Sequence, residues 1–230
     1  MLRALINVRY LPLALALGLA PFHLAAEDMD HEHHQHGAAA EGEADPHAHH
    51  KAMMSKPAEP AKATQVKLKD LELITQDGET VRFVSDVIGD HIVVMDFVYT
   101  TCTTVCPVLS AVLGQVQGKL GDRQGKEVVL VSVTVDPIRD NPQRLKAYAA
   151  KHKAGEGWVW LTGPKTAVDD VLDGLGAYAP DFENHPAMVL VGDGRTGEWS
   201  RFFGFPSADR LMERVDALAA ARVQSAAQTN

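Results

Sequence analysis

The chain has 230 residues, 46% of them hydrophobic, which suits one ordinary domain with tails and is short for two. Its formal net charge of −8 argues against a nucleic-acid surface or a face for anionic membranes. No internal repeat is visible, and beyond the N-terminus there is no run of about 20 apolar residues of the kind that spans a bilayer.

The chain opens MLRALINVRYLPLALALGLAPFHLAAED. Arg3 and Arg9 form a basic segment, Leu11 to Ala20 a short apolar one, and Leu24-Ala25-Ala26 a cleavage site before Glu27. This is the pattern of a secretory signal peptide over residues 1–26. The alternative is an uncleaved inner-membrane anchor, for which the stretch is short and is broken by Pro12, Pro21 and His23. Both readings place the chain in the periplasm, with a membrane reached only through the N-terminus. In that oxidising compartment a cysteine pair can persist as a disulfide.

Residues 27–65 are a different material. They hold almost no large aliphatic side chains, too few to offset the entropy of ordering, and read as a disordered tether. Seven histidines lie here, His31, His33, His34, His36, His47, His49 and His50, with Met29, Met53 and Met54 among them. Histidine tracts bind metals and thioethers suit Cu(I), so the tether is expected to capture copper; the plainer alternative is a solvated linker.

From Val66 the pattern becomes globular. Leu71 to Thr75 and Val81 to Phe83 flank the turn QDGE, which suggests a hairpin. HIVVMDFVY reads as a buried strand. Val105, Leu109, Val112, Val116 and Leu120 then recur at helical spacing, with Gly121 placed to stop the helix. EVVLVSVTV is a second buried strand, and Asn141-Pro142 cap and begin a second helix. WVWLTG is a short strand, KTAVDDVLDGLGAY a helix capped by Thr166, AMVLVGDGRTGEWSRFF two strands around a turn, and Ser207 to Val223 a closing helix. Strands alternating with helices predict an α/β domain over 66–225, with a central mixed sheet flanked by helices and an N-terminal β-hairpin. A cysteine-bearing step from strand to helix, then a late hairpin and a terminal helix, suggests a thioredoxin-like fold.

Cys102 and Cys106 are the only cysteines. C-x-x-x-C by itself fits a structural staple, a redox couple or half of a metal site. A staple stabilises most when it closes a long loop, and this loop is very short. Cys106 falls at the start of a helix, where unpaired N–H groups and the helix dipole favour a thiolate. Two thiolates favour a soft ion, Cu(I) above all. Outside the tether and signal segment the histidines are His91, His152 and His185. His91 reads as a surface residue and His152 as a helix C-terminal one. His185 lies in a loop entering a late strand, which in a thioredoxin-like sheet faces the cysteines, and is the candidate third ligand.

DFVYTTCTTVCP, VSVTVDPIRDNPQRLKAYAAKH, WVWLTG, a histidine before MVLVGDG, and FFGFP together resemble the Sco (SenC) family of copper proteins, from about Val66 to Val223. The resemblance implies a thioredoxin-like fold and copper, as Cu(I) and also Cu(II), bound by two cysteines and one histidine. It implies a part in assembling the dinuclear copper centre of cytochrome c oxidase, with some members reducing the oxidase's copper-site cysteines. Carried over by motif, the ligands are Cys102, Cys106 and His185, and Asp136 of VDP matches a position close to the metal. The implied partners are the copper-centre subunit of a terminal oxidase, other periplasmic copper carriers and thiol reductants. One departure is visible: the family usually has Asp before the histidine and Ser or Thr after it, and here these are Asn184 and Pro186. Losing the acid removes an acceptor for the imidazole. Pro186 stands where thioredoxin-like reductases keep a cis-proline, which shifts weight toward thiol chemistry.

Three readings follow. The first is an exported copper chaperone with Cys102, Cys106 and His185 as ligands, loaded only when the thiols are reduced. The second is a thiol-disulfide oxidoreductase using the Cys102/Cys106 couple, against which the spacing counts. The third is a periplasmic copper buffer acting through the tether.

Overall fold

The computed structural model describes residues 62–229. The expected signal peptide and all seven tether histidines lie outside the described residues. Among the described residues no helix is long and apolar enough to cross a membrane.

The elements in order are β1 (Lys62–Thr64), β2 (Glu72–Thr75), β3 (Thr80–Arg82), β4 (Ile92–Val98), α1 (Val105–Leu120), β5 (Val128–Thr134), α2 (Pro142–Lys151), β6 (Trp158–Thr162), α3 (Lys165–Leu175), β7 (Met188–Asp193), β8 (Trp199–Phe203) and α4 (Ala208–Thr229). The strands form a single mixed sheet of order β1-β8-β7-β4-β5-β6-β2-β3. β4, β5 and β6 run parallel, joined by helical crossovers, and the outer strands are antiparallel. β4 and β5 are buried along their whole length, which is why they read as continuous apolar runs.

Side-chain alternation on the central strands feeds two cores. Ile92, Val94 and Val98 pack with Leu109, Leu113 and Val116 of α1, Leu145 and Tyr148 of α2, and Leu211 and Val215 of α4. Val93, Met95 and Phe97 pack on the other side with Val168, Val171 and Leu172 of α3. The expected hairpin turns at Gly78, whose φ of 85° suits a residue without Cβ. Asn141 caps α2 by accepting from the Arg144 N–H at 2.9 Å, with Pro142 at the first helical position.

Four local features differ from expectation. β1 pairs with β8, so Lys62–Thr64, inside the stretch read as tether, form an edge strand of the sheet. α3 starts after Pro164 rather than at a Thr166 cap, because Pro164 supplies the helix-entry angle directly. α4 runs six residues past Val223, beyond the point where Arg222 clamps Asp193. Phe83–Ile88 form a π-helical turn that apolar patterning did not reveal. Asp70 holds it by accepting from the N–H groups of Val84 and Ser85.

Candidate metal and thiol site

β4 delivers the chain to the cysteines. The loop after it is fixed by Asp140, which is 1% exposed and accepts from the Thr100 N–H, Thr100 Oγ1 and, at 2.7 Å, Thr134 Oγ1. Thr162 Oγ1 donates to the Asp140 carbonyl at 2.6 Å. Asp140 belongs to the stretch VDPIRDNP, so the two sequence blocks are joined by one buried carboxylate that sets the approach to Cys102.

Cys102 precedes α1 and Cys106 sits in its first turn. Both are buried and both are free thiols. The Cys106 N–H donates to Cys102 Sγ at 3.3 Å. The Cys106 thiol donates to Cys102 as well, and this most of all holds Cys102 down at about 5, helped by the Cys106 and Thr104 N–H groups and the Tyr99 hydroxyl against the pull of burial. Cys106 is pushed far up because it keeps the shared proton, is desolvated and faces the Cys102 charge. Cys102 is therefore the more acidic thiol of the pair. The helix start was expected to favour a thiolate at Cys106; instead the donors of that first turn converge on the sulfur outside it.

His185 follows a short 3₁₀ turn, Phe182–Asn184, capped by Asp181. The Asn184 side chain donates to Asp181 at 2.7 Å, away from the imidazole. The His185 ring lies 5.5 Å from that of Phe97, and its Nε2 is buried with no hydrogen-bond partner. Burial alone pushes His185 down to about 4, so the ring is neutral at ordinary pH. The His185–Pro186 peptide is trans.

One cavity of about 520 Å³ brings these groups together, lined by Cys102, Cys106, His185 and Pro186 with Tyr99 and Glu183 among others. The three candidate ligands thus share a cavity, though among the described residues no three His, Cys, Asp or Glu side chains are already gathered at metal-binding distance. Asp136 is not brought to this cavity. It is 4% exposed, pairs with Arg139 at 2.9 Å, and lines a neighbouring cavity of about 260 Å³. Arg139 lies over the Phe182 ring at 5.1 Å, and Phe182 meets Tyr99 edge-on at the same separation, so Asp136 reaches the cysteines only through a chain of contacts. His91 Nδ1 contacts the Ile88 carbonyl at 3.1 Å, and His152 ends α2 against Tyr148, as expected for residues outside the site. Sequence reading missed Tyr99 and Asp140; position beside the cysteines and inside the VDP block were the available signals.

The family described as SCO1/SenC matches residues 59–207, well over half of the chain. The chain belongs to the SCO1/SenC family. A SCO1 protein homolog of Bacillus subtilis is 35% identical over 89 residues, which are 38% of this chain and 45% of that protein. The chain spans about half the length of the curated relatives it matches. Among solved structures, a SCO1/SenC family lipoprotein of Bacillus anthracis superposes with a TM-score of 0.59 at 24% identity, covering 69% of this chain and 98% of that one. Bradyrhizobium japonicum ScoI, solved with copper bound, gives 0.55 at 21% identity, covering 67% and 99%. These Sco-family likenesses establish the thioredoxin-like fold.

Proposed function

We propose that this Sco-family chain is an exported metallochaperone that binds Cu(I) through the Cys102 and Cys106 thiolates and His185. It would deliver the ion to the copper-centre subunit of cytochrome c oxidase during assembly, or reduce that subunit's copper-site cysteines. The observation that carries this reading is the unpartnered, desolvated Nε2 of His185 in the same cavity as two reduced thiols. A buried polar atom without a partner is costly, and a neutral imidazole nitrogen sharing a cavity with a pair of sulfurs is a donor set for a soft monovalent ion. Copper-bound members such as Bradyrhizobium japonicum ScoI support the same cargo.

The oxidoreductase reading rests on a different observation, the asymmetry of the thiols. Cys102 is a ready nucleophile at neutral pH, and Cys106 holds the proton of a resolving thiol. The trans bond at Pro186 gives it no further help. The copper-buffer reading depends on tether residues outside the described part.

The deciding experiment is anaerobic Cu(I) titration against a strong chelator, using reduced chain with the seven tether histidines changed to alanine, with and without His185→Ala. One tightly held copper, weakened at least tenfold by the substitution, is expected. Binding indifferent to His185 would remove the third ligand, and no competitive binding would leave the thiol chemistry.

A further inference from the structure

His185 is carried by a stretch of chain that has little to hold it. At one end the Ala177 N–H donates to the Leu172 carbonyl of α3 at 2.8 Å, and at the other the Ala187 carbonyl accepts from the Gly204 N–H at 2.8 Å. Between them, residues 178–186 are all exposed or half-buried. Among the described residues, their hydrogen bonds stay within the stretch. The Asn184 N–H donates to the Asp181 carbonyl, the His185 N–H donates to the Phe182 carbonyl at 3.2 Å, and the Asp181 carboxylate accepts from the Glu183 N–H and the Asn184 side chain. On the inner side, Tyr178, Ala179 and Pro180 border the cavity of about 260 Å³ instead of a packed core.

Phe182 is the residue that grips the rest of the domain. The Arg139 guanidinium lies over its ring at 5.1 Å, and the ring meets Tyr99 edge-on, with centroids 5.1 Å apart and planes at 78°. Both partners are themselves fixed. Tyr99 follows directly on β4. Arg139 donates to Asp136 Oδ2 at 2.9 Å, and the Asp136 N–H donates to Thr134 Oγ1 at the end of β5 at 3.0 Å. Phe182 thus joins the β4 and β5 loops through its ring and His185 through its carbonyl.

We propose that Phe182 is the positioning residue for His185, its ring clasped by Arg139 and Tyr99 so that the imidazole stays on the wall of the cysteine cavity. This inference rests on the copper reading above and deepens it. A ligand on a weakly anchored segment spreads over many positions, and apparent affinity falls by the fraction of time it spends in the competent one. Edge-on aromatic contact and a cation over a ring fix geometry in a way that plain apolar filling does not. Asp136 gains a role by the same route: it orients Arg139, and through Arg139 the Phe182 ring, without touching the cavity of the cysteines.

The test uses reduced full-length chain with the seven tether histidines changed to alanine, titrated anaerobically with Cu(I) against a chelator. Phe182→Leu keeps apolar bulk and removes the ring; it should weaken binding about fivefold, whereas Phe182→Tyr should bind as the parent does. Added to His185→Ala, Phe182→Leu should cost nothing more, because the group it positions is gone. Equal weakening in both backgrounds overturns the inference, since Phe182 would then act on something other than His185. No weakening by Phe182→Leu, where His185→Ala does weaken binding, also overturns it and leaves the copper reading standing. Binding indifferent to His185 overturns both.

A second measurement needs no metal. Ethoxycarbonylation of histidines at neutral pH, mapped by peptide, reads the shielding of His185 Nε2, which is buried in the parent chain. Phe182→Leu and the surface variant Arg139→Gln should each speed modification of His185 about threefold or more relative to His91 and His152. An unchanged ratio in both variants overturns the proposal.

Discussion

Replacing Asp96 with asparagine should make the domain more stable at neutral and alkaline pH. Burial lifts this carboxyl from 3.8 to about 7, so the folded chain holds a proton over a range in which the unfolded chain has lost it. The stabilising contribution is complete below the unfolded value and is lost as pH rises through the folded one. At about 1.36 kcal/mol per pH unit, the wild type should lose ~3 kcal/mol between pH ~4.5 and ~8 from this group. Asparagine mimics the neutral acid: its Oδ1 can accept from Ser132 Oγ, its amide can donate toward Ser110 and Tyr148, and it does not titrate. The variant should therefore gain about 3 kcal/mol on the wild type across that interval. Urea unfolding of the reduced, metal-free chain at several pH values, with a common m, measures it. Cys102 and His185 both titrate below their ordinary values, so their contributions fall as pH falls, the opposite direction. They are present in both proteins and cancel in the difference. A difference independent of pH would overturn the assignment of this ionisation to Asp96.

Three further outcomes are expected. Alkylation followed by peptide mapping should label Cys102 first, with a midpoint at about 5; Cys106→Ala, which removes the thiol donor, should raise the Cys102 midpoint, and an unmoved midpoint would contradict the shared proton. Copper held by the cysteine site should persist at about pH 5, because His185 is neutral down to about 4, whereas copper on the tether histidines should leave as they protonate at about 6.5. Simultaneous loss of both pools in a pH titration of copper content would count against His185. Asp140→Ala should cost about 3 kcal/mol and loosen the cysteine loop, since it leaves Thr100 and Thr134 without their common acceptor. Unfolding together with hydrogen exchange at Thr100 would detect it, and unchanged protection there would show that the loop is held by other contacts.

Much of this architecture was legible before any coordinates. Short, largely apolar, β-branched runs such as IVVMDFV and VVLVSVT pointed to buried strands, and the recurrence from Val105 to Leu120 to a helix with one covered face. Asn141-Pro142, Gly78 and Gly121 marked their boundaries because capping and positive φ are properties of a few residues. The cysteine pair and His185 were also visible, since so few soft or imidazole donors lie within the domain. β1 and the π-helical turn were not, because three residues at an edge and a turn held by the distant Asp70 carry no periodicity.

What needed the tertiary structure is almost entirely electrostatic. Sequence placed Cys106 at a helix start and so favoured a thiolate there, but the more acidic thiol is Cys102, where a thiol, two N–H groups and a tyrosine hydroxyl meet. It offered Asp136 as a neighbour of the site, whereas the carboxylate that shapes the cysteine loop is Asp140. It could show that Asp96 shares the parity of Val94 and Val98, but not that Ser110 and Tyr148 close over it. Backbone geometry repeats every two or 3.6 residues and is written locally in the chain, while the ionisation of a buried group depends on which distant dipoles and charges the fold brings against it.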